Sequence, residues 1–276
     1  MVNTTLLSQE IEEKLNTRWL GRTIHFYQQL DSTNLTAMEL ALEGALEGTA
    51  VLTEEQLRGR GRGNRSWHSP AGVGIYCSII LRPRLSPAKA QILTLMTAVA
   101  IVRAVAQETI LSPRIKWPND ILLNDRKLAG ILLESKVSSK QIEHAVIGFG
   151  INVNQTSTDL PPEPRLEASS LRIELAKSVD RSALVAKIFA ELEALYEKIQ
   201  QGDSAIILEQ WRQLSTTLAR PIRVWQQGNK ATEGIAVDIT EEGGLVVSLK
   251  DGSLEVIHAG DVEHLRLAVE VVDGGG

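Results

Sequence analysis

Residues 73–81 (Val-Gly-Ile-Tyr-Cys-Ser-Ile-Ile-Leu) are the stretch hardest to place anywhere but in a core. The run is mostly apolar and β-branched. It lacks the alternation of a strand with one face in water, so it reads as a long central strand. A helix follows closely. Over Pro87–Glu108, residues Ile92, Leu95, Met96, Val99, Val102 and Ala106 recur on one helical face, and Ser86 stands where a cap belongs. A second amphipathic helix covers 180–200 through Leu184, Ile188, Leu192, Leu195 and Ile199, and helical texture resumes at 204 and runs to Leu218. Weaker signals place a helix at 6–20 (Leu7, Ile11, Leu15), another after Asn34 (Leu35, Met38, Leu40, Leu42), and strands at 22–28, 49–53 and 142–149. The apolar runs 121–123 and 127–134 flank Asn124-Asp125-Arg126 and predict a hairpin, while the proline-bearing segment 156–168 reads as a flexible surface loop.

Beyond Arg220-Pro221 the texture changes to short strands at 222–225, 232–239, 245–249 and 253–258. Turn signals stand between them at Gly228-Asn229, Glu242-Gly243-Gly244 and Asp251-Gly252. This predicts a small β-barrel-like module. The expected division is a main domain at 1–218, the module at 219–270 and a disordered tail at 271–276, which suits a chain of 276 residues.

Composition narrows the function. A net charge of −5 argues against a protein devoted to nucleic acid. The single cysteine, Cys77, excludes an internal disulfide and a multi-cysteine metal site, and inside an apolar strand it reads as core. No signal peptide is visible and no apolar run approaches the roughly 20 residues of a membrane span, so a soluble cytoplasmic protein is expected. The five histidines show no H-x-x-x-H spacing and there is no Gly-x-Ser-x-Gly elbow, so no covalent enzyme intermediate is expected.

Chemistry concentrates elsewhere. Gly59-Arg60-Gly61-Arg62-Gly63-Asn64-Arg65-Ser66-Trp67 alternates glycine with arginine and ends on an indole. Glycine lets backbone N–H groups approach a ligand, and guanidinium matches carboxylate and phosphate. It is neither a Walker A loop nor a Rossmann fingerprint, so it reads as an anion-gripping loop, with a solvated basic hairpin or an RNA-contacting patch as the alternatives. Asp31-Ser32-Thr33-Asn34 clusters N-cap residue types; capping alone explains it, and a ligand role is the alternative. In Lys116-Trp117-Pro118-Asn119-Asp120 a turn explains the last three residues but not the lysine and indole before them. Lys127, ahead of the small Ala129 and Gly130, can reach a phosphate. Gly148-Phe149-Gly150-Ile151-Asn152 reads either as a plain strand terminus or as a ligand-facing turn.

Taken in order, these stretches, with Gln56, Ser69-Pro70 and the run to Asn154, resemble the biotin–protein ligases from about Phe26 to Asn154. The resemblance implies an α+β fold of the class II aminoacyl-tRNA synthetase and biotin ligase kind. That fold is a mixed β-sheet flanked by helices, with a C-terminal SH3-like barrel. It implies biotin and Mg-ATP as substrates giving biotinyl-5′-AMP, and transfer to one lysine of a biotin carboxyl carrier domain such as that of acetyl-CoA carboxylase. No tightly bound cofactor is implied.

Carried onto this chain, the resemblance assigns biotin to Ser32, Thr33, Asn34, Gln56, Arg60, Gly61, Arg62, Lys127 and Gly130. It assigns the nucleotide to Arg65, Trp67, Asn119 and Asn152, with Trp67 also an apolar wall, and catalysis to Arg62, Lys127, Lys116 and Asp120. Asp120 is the metal candidate. The short N-terminus is expected to leave no room for the DNA-binding domain of repressor-type members, so a monofunctional ligase without nucleic-acid or membrane partners, monomer or homodimer, is expected.

Overall fold

The computed structural model describes residues 8–138, 140–161, 167–226 and 230–265. The apolar run forms β3 (Gly74–Leu81), all eight residues of which are buried. Around it lie β1 (Ile24–Leu30), β2 (Ala50–Gln56), β4 (Arg114–Lys116), β5 (Asp120–Leu123), β6 (Arg126–Val137) and β7 (Ile142–Asn152). The seven strands make one mixed sheet in the order β1-β2-β3-β7-β6-β5-β4, with only β1 and β2 parallel. Gly148-Phe149-Gly150 is therefore neither a terminus nor a turn. It runs through the middle of β7, paired on both sides.

Period-two alternation sends the two faces of the sheet to different partners. Cys77, Ile79, Ile147, Phe149 and Ile151 enter the main core, which includes buried residues of α3 (Gln91–Glu108), α5 (Arg181–Gln200) and α6 (Ala205–Leu214). On the other face, Val51, Ile80 and Val146 meet α2 (Thr33–Leu42). Ala37 and Ala41 are buried there and the expected Met38 and Leu40 pack beside them, while Leu35 and Leu42, also expected on its apolar face, are exposed. Small residues let the helix lie close to the sheet, and it covers only part of that face.

Helix α3 also departs from its one-faced reading. Thirteen of its eighteen residues are buried, whereas Ala106 near its end is exposed. A separate 3-10 turn, Pro87–Lys89, precedes it, and the Ser86 side chain makes no cap hydrogen bond. Pro87–Glu108 has the length and hydropathy to cross a membrane, but it is mostly buried here, wrapped by the sheet, α5 and α6 as a core helix. Helix α5 matches its pattern, with Asp180 Oδ1 accepting from the Ala183 N–H at its start. Helix α6 stops at Leu214 instead of Leu218, because the Ser215 hydroxyl captures the N–H groups of Thr217 and Leu218. Among the described residues helix α1 covers Ser8–Lys14, ending short of the expected Leu20, with Ile11 buried against α5, while Leu6 and Leu7 of the expected helix lie outside the described residues, and α4 (Leu171–Leu175) is a single turn or so.

The predicted hairpin joins β5 and β6 through Asn124 (φ 51°) and Asp125 (φ 58°), a two-residue turn with both centres left-handed. The C-terminal module is a five-stranded antiparallel sheet. Its strands are β8 (Pro221–Trp225), β9 (Ala231–Ile239), β10 (Leu245–Ser248), β11 (Leu254–Ile257) and an unforeseen β12 (Asp261–His264), in the order β11-β10-β9-β8-β12. The Gly228-Asn229 turn, part of the 156–168 loop and the 271–276 tail lie outside the described residues. The unexplained Trp117 joins the two sheets. It is buried, its backbone N–H donates to Thr217 Oγ1 at 2.9 Å, and its Nε1 donates to the Gly243 carbonyl at 3.1 Å.

Candidate active site

Where α2 leaves the sheet uncovered, a cavity of about 460 Å³ opens. Its floor is made by glycines. Gly130 of β6 and Gly150 of β7 pair directly opposite one another, and the Trp67 indole lies across both. A Cβ on Gly150 would stand 2.2 Å from Trp67 Nε1. Gly148 is tighter still, because its Cβ would meet Asn34 Oδ1 at 1.7 Å. No side chain fits at either position without moving the wall of the cavity.

The loop 59–67 folds back on itself as a small hairpin. Trp67 N–H donates to the Gly59 carbonyl at 2.8 Å and Gly61 N–H to the Arg65 carbonyl at 2.7 Å. Its tip is a 3-10 turn, Arg62–Asn64, in which Gly63 takes the left-handed conformation (φ 61°). The hairpin is not merely solvated, because its arginines have partners across the fold. Arg60 grips Glu134 with two bonds of 3.1 and 2.8 Å. Arg65 Nη2 meets Asp261 Oδ1 at 2.9 Å. Arg62 has only neutral acceptors among the described residues, Asn119 Oδ1 at 3.2 Å and the Gly260 carbonyl at 3.3 Å. Burial pushes the Arg62 guanidinium below its usual range, with Arg65 adding to the effect and the Asp261 and Asp120 carboxylates opposing it.

At the opposite end the wall is neutral and hydrogen-bonded. Capping does not explain Ser32-Thr33-Asn34, since Ser32 makes no side-chain cap bond and all three residues are buried. Gln56 Oε1 accepts from the Thr33 N–H at 2.9 Å, and Gln56 Nε2 donates to Ser69 Oγ at 2.8 Å. Asn34 Nδ2 donates to Glu134 Oε2 at 2.9 Å, and the Ser78 hydroxyl lies 2.6 Å from Asn34 Oδ1.

Between the two ends stands Lys127. Its backbone is held by residues 167–169: its N–H donates to the Glu167 carbonyl, and its carbonyl accepts from Ser169. Its Nζ lies 3.1 Å from Asp120 Oδ1 and 5.3 Å from the centre of the Trp67 ring, within range of a cation–π contact. Four cations (Arg60, Arg62, Arg65, Lys127) and one carboxylate (Asp120) line the cavity of an otherwise acidic chain.

Of the residues assigned from sequence, Ser32, Thr33, Asn34, Gln56, Arg60, Gly61, Arg62, Arg65, Trp67, Asn119, Asp120, Lys127 and Gly130 all line this cavity. Lys116 and Asn152 do not. Lys116 pairs with Asp120 across the β4–β5 turn, just outside the wall, and burial lowers its pKa against the opposing pull of Asp120. Asn152 is buried beneath the wall, where its Oδ1 accepts from Gln155 at 3.3 Å. Glu134, Ser78, Gly260 and Asp261 were missed. Each is unremarkable in sequence and is recognised only by the residue it holds across the fold. Among the described residues no group of three His, Cys, Asp or Glu side chains could cage a metal ion.

A cavity lined by four cations, set on paired glycines and closed by a glycine–arginine hairpin, is a site suited to holding anions together. Residues 26–152 match the Biotin/lipoate A/B protein ligase family, and residues 217–265 match the Biotin protein ligase C terminal domain. The chain is 35% identical to the "Bifunctional ligase/repressor BirA" of Bacillus subtilis (strain 168), over 94% of its length and 79% of that protein's. It is 34% identical to the "Biotin--[acetyl-CoA-carboxylase] ligase" of Paracoccus denitrificans, over 84% and 96%. The biotin protein ligase of Aquifex aeolicus, solved with biotin and ATP, superposes with a TM-score of 0.75 at 25% identity, over 89% of this chain and all of that one. This chain therefore belongs to the biotin protein ligase family and is a ligase enzyme.

Proposed function

We propose that this enzyme activates biotin as biotinyl-5′-AMP at this cavity and passes the acyl group to a lysine of a biotin carboxyl carrier domain. In the first step a biotin carboxylate oxygen attacks the α-phosphorus of ATP, forming an O–P bond as pyrophosphate leaves. In the second, a lysine amine of the carrier attacks the acyl carbon; AMP leaves and the amine loses its proton. The observation that carries the reading is the charge pattern. Two anions must be brought together, and the cavity places four cations around a single carboxylate. Fixed cations in a site poor in water can be worth several kcal/mol at such a step.

Under this reading the neutral end, Ser32, Thr33, Asn34 and Gln56, takes the ureido ring of biotin. Trp67 on Gly130 and Gly150 walls its apolar chain. Lys127 and Arg62 hold the carboxylate and α-phosphate in contact, with Arg60 and Gly61 of the hairpin closing over them. Arg65 and Asn119 serve the nucleotide. Lys116 acts from beside Asp120, and Asn152 from behind the wall, as supports rather than contacts. Magnesium enters as part of the ATP substrate. Asp120, the one carboxylate on the cavity wall, can supply one oxygen, which suits a cation held mainly by phosphates.

The test is isotope exchange between pyrophosphate and ATP. Exchange that requires biotin supports the reading; exchange with lipoate and not biotin would overturn it. Incorporation of biotin into a carrier domain tests the second step. Steeply salt-dependent binding to DNA would contradict the absence of a nucleic-acid partner from this reading.

A further inference from the structure

Lys127 sits on a strand whose simple alternation would turn it away from the cavity. Strand β6 faces the cavity with Gly130, and residues three apart in a regular strand lie on opposite faces. The register removes the conflict. Ile121 pairs with Ala129 but Leu122 pairs with Lys127, so β6 carries one extra residue at Leu128. That bulge sends Leu128 into the main core and returns Lys127 to the cavity side, where its Cε lies 3.6 Å from the place a Cβ on Gly130 would take. A bulge also leaves its strand locally short of ladder bonds, and β7, the other neighbour, pairs with β6 only from Ala129 onward. Beside Lys127 the place of β7 is taken by residues 167–169, which form an isolated parallel bridge. The Lys127 N–H donates to the Glu167 carbonyl at 2.7 Å, and the Ser169 N–H donates to the Lys127 carbonyl at 2.9 Å.

One side chain ties these pieces together. Glu174 of α4 is nearly enclosed, with 6% of its side chain exposed, and both of its carboxylate oxygens are used. Oε1 accepts from Arg126 Nη2 and from the Ser169 hydroxyl, each at 2.5 Å, and Oε2 accepts from Asn124 Nδ2 at 2.6 Å. Asn124 and Arg126 belong to the β5–β6 turn on one side of Lys127; Ser169 belongs to the segment on the other. Helix α4 is itself fixed to the exit of β7. The Arg172 N–H donates to the Val153 carbonyl at 2.8 Å, the Ser170 hydroxyl donates to the Gln155 carbonyl at 2.7 Å, and Leu171 is fully buried. Charge-assisted bonds to a carboxylate are short and strong, and a satisfied buried network holds one geometry. We infer that Glu174 is a positioning residue for Lys127. It clamps the bulged end of β6 between the β5–β6 turn and residues 167–169, and so aims the ammonium at the point where carboxylate and α-phosphate meet. The inference rests on the role proposed for Lys127 and goes beyond it, since Glu174 does not line the cavity.

The test is steady-state pyrophosphate exchange by the full chain, with biotin and ATP varied independently. Glu174→Ala should lower kcat by roughly tenfold or more, the effect of misplacing a reacting group by about 1 Å, while the KM for biotin and that for ATP move by less than about threefold. The same substitution in a Lys127→Ala chain should lower kcat no further, because the group it aims is gone. Ser169→Ala removes one arm of the clamp, keeps its backbone bond to Lys127, and should fold whether or not Glu174→Ala does. It should lower kcat in the same way by a smaller factor, again only when Lys127 is present. Unchanged kcat in both single variants, a rise in either KM with kcat kept, or an equal fall in kcat with and without Lys127 would mark Glu174 as merely structural and overturn the inference. Wild-type exchange that does not need biotin, or full exchange by Lys127→Ala, would overturn the role proposed for Lys127 and the inference with it, a result visible before Glu174 is changed.

Discussion

The two ends of the cavity are built on opposite plans. At the ring end, Thr33, Asn34, Gln56 and Ser78 are neutral, mostly buried and bonded to one another, on elements pinned to the central sheet. At the phosphate end, Arg62 and Arg65 project from a hairpin tip and borrow partners from the C-terminal sheet, the Gly260 carbonyl and the Asp261 carboxylate. Satisfied buried polar networks specify one geometry and one ligand pattern. Exposed ion pairs are worth little, so they can be exchanged for a substrate phosphate at small cost. Under the proposed function, selectivity lies where the fold is rigid, and charge stabilisation lies where partners can be traded.

The largest expected effect breaks the comparison at the junction. Lys127→Ala should lower the rate of biotin-dependent pyrophosphate exchange by about 10²–10³-fold, the usual loss of one fixed charge-stabilising donor, while circular dichroism stays unchanged. Next comes the rigid end. Gly148→Ala places a Cβ against Asn34 Oδ1, and overpacking of this kind costs about 1–3 kcal/mol of stability. Denaturant unfolding should show that loss together with weaker biotin binding, whereas Gly63→Ala at the hairpin tip, with open space around it, should disturb biotin binding far less.

A smaller effect sharpens the C-terminal contribution through pH. Burial holds His264 of β12 down to about 4, helped by the nearby Lys116 and Arg220 cations. The unfolded chain, with histidine near 6.5, binds more protons between these values, so stability should rise with pH from about 4 to about 6.5 and level off above. Denaturation midpoints across that range should lose this part of their slope in His264→Gln. The smallest effect belongs to Asp261→Asn, which removes an exposed partner of Arg65. It should change unfolding free energy by no more than about 1 kcal/mol.

What the sequence made legible follows the same divide. The central strand, α5, the β5–β6 hairpin and the glycine–arginine loop could be read because their signals are local: apolar runs, periodicity and turn residues. Trp117 could not, since its partner is a carbonyl at Gly243, in the β9–β10 turn of the C-terminal module. Neither could Glu134 or Asp261, which are ordinary acidic residues until the fold brings Arg60 and Arg65 to them. Leu35 and Leu42 of α2 misled, though Met38 and Leu40 pack as expected, because periodicity reports an apolar stripe and not which side the sheet will take. Close packing on β2, β3 and β7 needed the alanines. The paired glycines Gly130 and Gly150 are separated by a hairpin in sequence, and only the register of β6 on β7 reveals them as one floor.

The most direct measurement is steady-state pyrophosphate exchange with biotin and ATP varied independently, in the wild-type chain, Thr33→Val and Arg65→Ala. If the two ends divide the work as described, Thr33→Val should raise the KM for biotin by roughly tenfold or more and leave that for ATP nearly unchanged, and Arg65→Ala should do the reverse. Exchange independent of biotin, or both substitutions raising the same KM, would contradict the account.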